Sequence, residues 1–196
     1  MDDDVPAVPP VTAQEIRIAI FSFPHGSAGG ADGLRPPHLK DMTSGLNDVI
    51  STELLEALPS LTTHMLNGKV PAGICPFLYG ASLAALVKKD GGIRPIAVGC
   101  TLRRLTGKVV SMGAQLRPEL VGYRAQRGAE AAVHAGRLFL SRNGAECQVL
   151  PKLDFKNAFN TIFRGRLLAE AKKAMPQFFH FAPQMYSQPS NLISGD

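Results

Sequence analysis

Residues 80–98 read GASLAALVKKDGGIRPIAV, and this stretch decides how the rest of the chain is interpreted. Two apolar runs, at 80–88 and 93–98, flank the tetrapeptide KDGG at 89–92. An Asp-Gly step between two apolar runs is the strongest short-range signal for a β-hairpin. Pro95 removes one backbone donor from the second run, which favours an edge position for that strand.

Helical patterns lie on both sides of the predicted hairpin. Thr12 and Glu15 have the spacing of a capping box, which places the start of a helix at Thr12. Further helices are predicted over 34–67, 101–116, 129–142 and 157–173, with a short one in 176–196, a Gly-rich loop over 24–33 and a strand over 147–153. Pro59 is expected to interrupt the first of these helices. The pattern predicts an α+β fold, mostly helical, with a β-hairpin and an incomplete sheet.

The composition is that of a globular protein. The chain has 196 residues, of which 45% are hydrophobic and 19% charged, so we expect one domain or two small ones rather than a disordered chain or a fibre. The cysteines, Cys75, Cys100 and Cys147, are far apart, which excludes a disulfide scaffold and a zinc ribbon. This cysteine usage indicates a reducing compartment.

The N-terminal residues carry no recognisable targeting signal. The chain begins with Met1 and three aspartates, where a secretory or mitochondrial signal would be basic. No apolar run approaches the roughly 18 residues of a membrane span. We therefore expect an intracellular protein, of the cytoplasm or nucleus, without a membrane partner. Residues 1–11 are expected to be a flexible lead-in with little to bury.

Positive charge is concentrated in one part of the sequence. Between Lys88 and Arg127 the chain has nine basic and two acidic residues, although the net charge of the whole chain is only +5. Such a cluster favours a polyanionic partner, which could be nucleic acid, a nucleotide or anionic lipid. A solvated cationic face explains the charge count equally well, and both interpretations stay open at this point.

Few other patterns indicate chemistry. Asp154 follows the predicted strand at 147–153, where a carboxylate can bind a metal ion, but spacing alone favours an N-cap for the next helix. The loop at 26–33 lacks the G-K-[ST] ending of a phosphate-binding P-loop, so a flexible turn is the better interpretation. The sequence has neither the H-E-x-x-H motif of zinc hydrolases nor the G-x-S-x-G motif of serine hydrolases.

Four stretches, in order, resemble the reverse transcriptases encoded by non-LTR retrotransposons. Their patterns are the N-terminal segment G-x-D-G-[LI], the fingers motif K-x-D-G-G-x-R-P-I, the next fingers block, and the first palm motif D-x-x-N-A-F-[ND]. In the same order, they lie at 27–34 with 37–40, at 88–96 with 102–104, at 122–134 and at 153–160. The likeness extends over about residues 23–193.

This resemblance implies a right-hand polymerase fold and a role for each matching residue. Asp154 would be the catalytic residue and would hold Mg²⁺ with the backbone carbonyl of Phe155. Phe159 would be the steric gate beneath the sugar of the nucleotide. Asp154 would face Arg94 across a shared cavity that holds the nucleotide and its magnesium.

Phosphate binding is assigned to the basic residues that match the fingers. The incoming dNTP is assigned to Lys88, Lys89, Arg94 and Arg104, together with Phe159. The nucleic acid is assigned to Arg103, Lys108, Arg124 and Arg127. Between the two adjacent lysines, Lys89 is the expected ligand of the triphosphate and Lys88 is the alternative. Phosphoryl transfer from a dNTP needs positioning and charge neutralisation more than covalent help.

The family likeness divides the chain into three regions. Residues 1–23 would be the lead-in and first helix, 24–146 a fingers-like region, and 147–196 the start of a palm. The sequence has no [FY]-x-D-D segment and no Q-G-x-x-x-G segment, so two Mg²⁺ ions would lack sufficient ligands. We therefore expect no polymerase activity from this chain alone, with the rest of the palm and the thumb supplied by a longer chain.

The expected partners are an RNA template with a DNA primer, and dNTP. Two other interpretations stay open. The chain could be a non-catalytic RNA- or DNA-binding module that uses the basic fingers face, or a fragment without a function of its own.

Overall fold

The computed structural model describes residues 7–45, 48–113, 127–141, 149–153 and 161–194. The chain forms two compact units, one of Met1–Gly113 with Phe163–Asp196 and the other of Ala114–Ile162. Helices predominate and are accompanied by a small three-stranded sheet. The mixed architecture confirms the predicted α+β class, and the finer division into fingers and palm stays a prediction.

The elements follow one another in a simple order. Along the chain they are α1 (Ala13–Phe21), α2 (Pro36–Met42), α3 (Val49–Leu66), α4 (Cys75–Leu78), β1 (Ala81–Val87), β2 (Ile93–Gly99), α5 (Thr101–Gly113), α6 (Gly128–Ser141), α7 (Arg164–Ala174), a 3-10 helix (Pro176–Phe178), α8 (Phe181–Tyr186) and β3 (Leu192–Ser194). Helix α6 belongs to the second unit and all the others to the first. The predicted helix at 129–142 corresponds to α6, and α7 overlaps the second half of the predicted helix at 157–173 and ends one residue beyond it.

Helix α1 begins where the sequence predicts. The Thr12 hydroxyl accepts the Glu15 backbone N–H at 3.2 Å, and the Glu15 carboxylate accepts the Thr12 backbone N–H at 2.8 Å. Each bond satisfies a donor that the helix itself cannot pair, so the predicted capping box is confirmed. Ile16, Ala19 and Ile20 have no exposed surface, so one face of α1 lies in the core.

Helices α1, α3 and α5 build the core of the first unit. Ile20 of α1, Met65 of α3 and Leu105 of α5 are almost completely buried in one cluster. Tyr79 and Phe181 belong to the same cluster, and their rings meet edge to face with centroids 6.0 Å apart. Each large apolar side chain buried in this way contributes about 1.5–3 kcal/mol. A single residue joins β2 to α5, so the hairpin extends directly from this core.

The expected interruption at Pro59 is wrong, because α3 is continuous from Val49 to Leu66. A proline inside a helix loses one backbone hydrogen bond and costs about 3 kcal/mol. Here Pro59 is buried, and Leu58 and Met65 on the same helix pack in the core. Packing of this face outweighs the lost bond, since most helical stability in proteins comes from tertiary contacts.

The lead-in is partly anchored to α3. The Val8 N–H donates to the Asn67 side-chain carbonyl at 3.1 Å, and the Val11 N–H donates to the Thr63 hydroxyl at 2.9 Å. Both valines are buried in the core. The expectation that residues 1–11 bury little is therefore wrong for these two positions, because α3 supplies side-chain acceptors for the extended backbone.

The predicted hairpin is confirmed. Strands β1 and β2 pair antiparallel, from Ala81 opposite Gly99 at the base to Val87 opposite Ile93 at the tip. The base is buried and the tip is exposed, with Ala81 5% and Val87 80% accessible. The hairpin therefore leaves the core as a two-stranded arm.

The sheet order is β2-β1-β3, which makes β2 an edge strand as Pro95 indicates. Pro95 lies opposite Ala85 in a pair that makes no mutual hydrogen bonds, because Lys88 and Gly92 form the bonded pair that sets the alternation. The nitrogen of Pro95 therefore faces the open edge of the sheet, where a missing N–H breaks no ladder bond. Strand β3, which the sequence pattern does not predict, pairs parallel to residues 81–83 of β1.

The described part of one predicted strand, in the second unit, is not a strand. Residues 149–153, the described part of the predicted strand at 147–153, form neither helix nor strand. Val149 and Leu153 are largely exposed, and Pro151 between them has no N–H for a ladder. An apolar run with a central proline and no neighbouring strand in the described residues has nothing to pair with. That strand prediction is wrong over 149–153.

No helix in the described part of the chain is both long and apolar enough to cross a membrane.

Candidate phosphate-binding site

The tip of the hairpin is a tight turn that its sequence specifies. The Lys88 backbone N–H donates to the Gly92 carbonyl at 2.7 Å, and the Gly91 N–H donates to the Lys88 carbonyl at 3.0 Å. Gly91 has φ +81°, in the left-handed region that favours glycine. The Asp90 carboxylate accepts the Gly92 N–H at 3.1 Å. This matches a three-residue hairpin loop with glycine in the left-handed position.

Register places Lys88 and Arg94 on one face of the arm. Arg94 lies opposite Leu86, and residues two apart on a strand share a face, so Lys88 lies on the same face. A Cβ added to Gly92 would lie 3.5 Å from the Lys88 Cδ, which agrees with this placement. Lys89 occupies the turn itself. The geometry therefore favours Lys88 as the companion of Arg94, whereas the sequence resemblance favours Lys89.

These cations are available to a ligand. Lys88, Lys89 and Arg94 are exposed, and no described residue forms an ion pair or a side-chain hydrogen bond with them. A surface concavity of about 450 Å³ lies at the tip, lined by Leu86, Val87, Lys88, Lys89, Asp90 and Arg94. The one acidic group in this lining, Asp90, is engaged by the turn. Three cations and one carboxylate leave the tip with a net positive charge, and no described residue forms an ion pair with the three cations.

Arg103 on α5 is used differently. Its guanidinium donates to the Tyr79 carbonyl at 2.8 Å, at the C-terminal end of α4. It also packs so closely on Gly99 that a Cβ there would overlap it. The structure thus places Arg103, expected to contact nucleic acid, in a bond that joins α5 to the base of the hairpin.

Arg104 and Lys108 fasten the loop that follows α1. Arg104 donates to the Ala28 carbonyl at 2.6 Å, and Lys108 donates to the Ser22 carbonyl at 3.3 Å. Their charges lie 5.2 Å and 4.6 Å from the centroid of the Phe23 ring, in cation–π range. Burial, and secondarily the nearby charge of Arg103, lowers the pKa of Arg104. Arginine nevertheless stays protonated in proteins.

The Gly-rich loop makes a contact that the sequence does not predict. The Cys100 thiol donates to the Asp32 carboxylate at 3.2 Å, and burial followed by this hydrogen bond raises the pKa of the thiol. A Cβ on Gly30 would lie 2.8 Å from the Cys100 Cα, so only glycine permits this approach. The only available signal is the Asp32-Gly33 step, which predicts a turn but not its partner.

Within the part of the chain that it describes, the structure does not bring the remaining predicted site residues together. Arg127 has φ +56° and pairs with Glu130 at 3.9 Å on the surface of the second unit. The other positions, Arg124, Asp154, Phe155 and Phe159, lie outside the described residues. In the described ranges no group of three His, Cys, Asp or Glu side chains could hold a metal ion. The expected Asp154–Arg94 cavity and its Mg²⁺ therefore stay predictions.

Comparison with known proteins identifies no family for this chain. No protein-family model matches the chain, and no curated protein matches it. The likeness to reverse transcriptases consequently depends on the four sequence stretches alone.

Proposed function

We propose that this chain contains the fingers and the first part of the palm of a reverse transcriptase of the non-LTR retrotransposon type. In this proposal the hairpin tip binds the triphosphate of an incoming dNTP, with Arg94 and Lys88 as its ligands. The proposal extends to the RNA-directed DNA polymerase reaction, in which Asp154 and Phe155 would hold Mg²⁺ and Phe159 would select the sugar.

The observation that carries the proposal is that the hairpin cations share a face and lack side-chain partners among the described residues. Arg94 and Lys88 share one face of the hairpin and make no side-chain hydrogen bond or ion pair with any described residue. A guanidinium offers a planar fork of donors to phosphate oxygens, and an ammonium adds a compact charge. Two such groups on one face of the hairpin suit a polyphosphate better than a single carboxylate.

The division among the cations also supports this assignment. Arg103, Arg104 and Lys108 each bond a backbone carbonyl, so part of their hydrogen-bonding capacity is already used. We therefore assign the triphosphate to the hairpin and give α5 the role of holding the hairpin base and the Gly-rich loop in place. Lys108, Arg124 and Arg127 stay candidates for contacts with the template.

Turnover is not part of the proposal for these 196 residues by themselves. They contain one palm motif and no aromatic-x-Asp-Asp segment, and two-metal phosphoryl transfer needs more carboxylate ligands than Asp154 alone. We expect binding of nucleotide or primer–template without incorporation. Template-primed dNTP incorporation that disappears in Asp154→Ala would overturn this expectation.

The test measures dNTP binding in the presence of Mg²⁺ by equilibrium titration with a fluorescent dNTP. The variants Arg94→Ala and Lys88→Ala are compared with two controls, Lys69→Ala and Arg166→Ala. The controls remove exposed positive charges from other parts of the same unit. We expect Arg94→Ala to weaken binding about tenfold, since a hydrogen bond to a charged group contributes about 1.5–3 kcal/mol. Lys88→Ala should weaken binding more than Lys89→Ala.

Equal losses in the hairpin variants and the Lys69 and Arg166 controls would contradict the assignment. The alternative function, a non-catalytic RNA- or DNA-binding module, predicts another set of results. In that case a labelled primer–template would bind with a steep dependence on salt, free dNTP would not compete, and each lost phosphate contact would flatten the salt slope by about one unit.

A further inference from the structure

A second concavity lies at the base of the hairpin and shares no lining residue with the tip. Its volume is about 380 Å³, within the range of small-molecule sites. Apolar side chains dominate its walls, among them Phe77, Leu102 and Ile193. Phe77 is 68% exposed and Ile193 45% exposed, so a ligand seated here would cover apolar surface that now faces water.

Hydrogen bonds hold the walls of this concavity in place. The Ala81 N–H donates to the Asn191 carbonyl at 2.9 Å, and the Asn191 N–H donates to the Pro76 carbonyl at 3.1 Å. Between the lining residues Cys100 and Leu102, the Thr101 hydroxyl donates to the Leu34 carbonyl at 2.5 Å. The segments around the concavity are therefore joined to one another before any ligand arrives, which lowers the entropic cost of binding.

One charged group lines the concavity. The Asp32 carboxylate accepts the Leu34 N–H at 3.2 Å and the Cys100 thiol at 3.2 Å. No basic side chain in the described part of the chain pairs with Asp32. A carboxylate has about four acceptor positions, so capacity for a further donor remains. Cys100 is 8% exposed and contributes a weak donor without charge.

We propose that this concavity binds a small organic cation, with an ammonium group against Asp32 and an apolar body against Phe77, Leu102 and Ile193. A carboxylate with no basic partner among the described residues, at a mostly apolar cleft, selects for a cation joined to an apolar group. A metal ion is not indicated, since the cleft supplies one carboxylate and a protonated thiol. This site is independent of the phosphate-binding tip, because none of its residues belongs to the turn.

The test uses 2-naphthylmethylamine, charged at neutral pH, and its neutral analogue 2-naphthylmethanol. Binding to the full chain is followed by amide chemical shifts in ¹H–¹⁵N spectra. We expect saturable shifts at Asp32, Cys100 and Ile193, with the amine bound about three- to fivefold tighter than the alcohol, the upper range for an exposed ion pair. Asp32→Asn, which keeps an acceptor for Leu34, should make the two affinities equal.

A second variant tests the apolar wall. Phe77→Ala removes an exposed ring and should weaken both probes severalfold, whereas Ile50→Ala, 66% exposed on α3, should change neither affinity. Equal binding of amine and alcohol to the native chain would overturn the role of Asp32. Shifts spread over the surface, or Phe77→Ala behaving like Ile50→Ala, would overturn the site itself.

Discussion

The hairpin arm and helix α5 each carry three basic residues, yet the two regions use them in opposite ways. On the arm, Lys88 and Arg94 project from a turn that is complete without them. On α5, Arg103 and Arg104 bond the carbonyls of Tyr79 and Ala28. A count of basic residues along the sequence does not distinguish the two regions. The hydrogen-bond partners separate a surface available to phosphate from one already committed to the fold.

Burial separates the two regions in the same way. Leu105 of α5 is 1% exposed, whereas Val87 and Ile93 at the end of the arm are 80% and 67% exposed. Side chains of the same apolar character therefore have very different energetic weight. We expect substitutions of buried side chains in the helical core to change the free energy of unfolding, and substitutions of exposed side chains at the hairpin tip to leave it nearly unchanged.

The largest expected effect is Ile20→Ala in the core compared with Val87→Ala on the arm. Ile20 is fully buried, so the substitution should lower the free energy of unfolding by about 2–5 kcal/mol. Val87→Ala should stay within about 0.5 kcal/mol of the native chain. Urea denaturation followed by circular dichroism measures both. A loss at Val87 as large as that at Ile20 would mean that the tip is covered in solution.

An intermediate effect is expected for Arg104→Met compared with Arg94→Met. The first removes the bond to Ala28 and the contact with Phe23, and should destabilise the chain by about 1–2 kcal/mol in the same urea titration. Arg94→Met should leave the free energy of unfolding within about 0.5 kcal/mol and reduce dNTP binding. If the two variants exchange these behaviours, the division between bound and available cations is wrong.

The smallest effect concerns the turn, where Gly91→Ala is compared with Gly92→Ala. Gly91 has φ +81°, and alanine there should cost about 1 kcal/mol. At Gly92 a Cβ would meet the Asp90 carboxylate at 3.3 Å, a contact that a small shift relieves. Hydrogen exchange of the Lys88 amide, bonded to Gly92, reports both changes. Gly91→Ala should lower its protection about fivefold, and comparable protection in the two variants would argue against the left-handed turn.

Local signals in the sequence predicted the local structure. The Thr12–Glu15 capping box and the Asp90-Gly91 turn depend on residues a few positions apart, and both are confirmed. Pro95 indicated an edge strand because proline lacks the N–H that an inner strand must donate. These features follow from the covalent chemistry of short segments.

Features that depend on distant partners could not be predicted in this way. Pro59 is tolerated inside α3 because the helix is buried, which its own sequence does not reveal. Strand β3 has three residues and becomes a strand only beside β1. The run at 149–153 has the composition of a strand but has no partner among the described residues. In each case tertiary contacts outweigh local propensity.

The candidate site follows the same rule. The resemblance identified the segment that holds Lys88 and Arg94, because the turn motif is continuous in sequence. It could not rank Lys88 above Lys89, since that ranking comes from strand register. Nor could it show that Arg103 and Arg104 are occupied by carbonyls of Tyr79 and Ala28, which lie 24 and 76 residues earlier in the chain.

Strand β3 and helix α8 attach the last described residues to structure formed by the first hundred. The Gln184 side chain donates to the Val70 carbonyl at 2.7 Å across 114 residues of sequence, and Leu192 pairs with Ala81. A ribosome that adds about 5–20 residues per second needs on the order of ten seconds to deliver those partners. During that interval the outer edge of β1 is unpaired on the nascent chain. An unpaired strand edge can pair with other chains, so this topology leaves the nascent chain open to intermolecular pairing until the last residues are made.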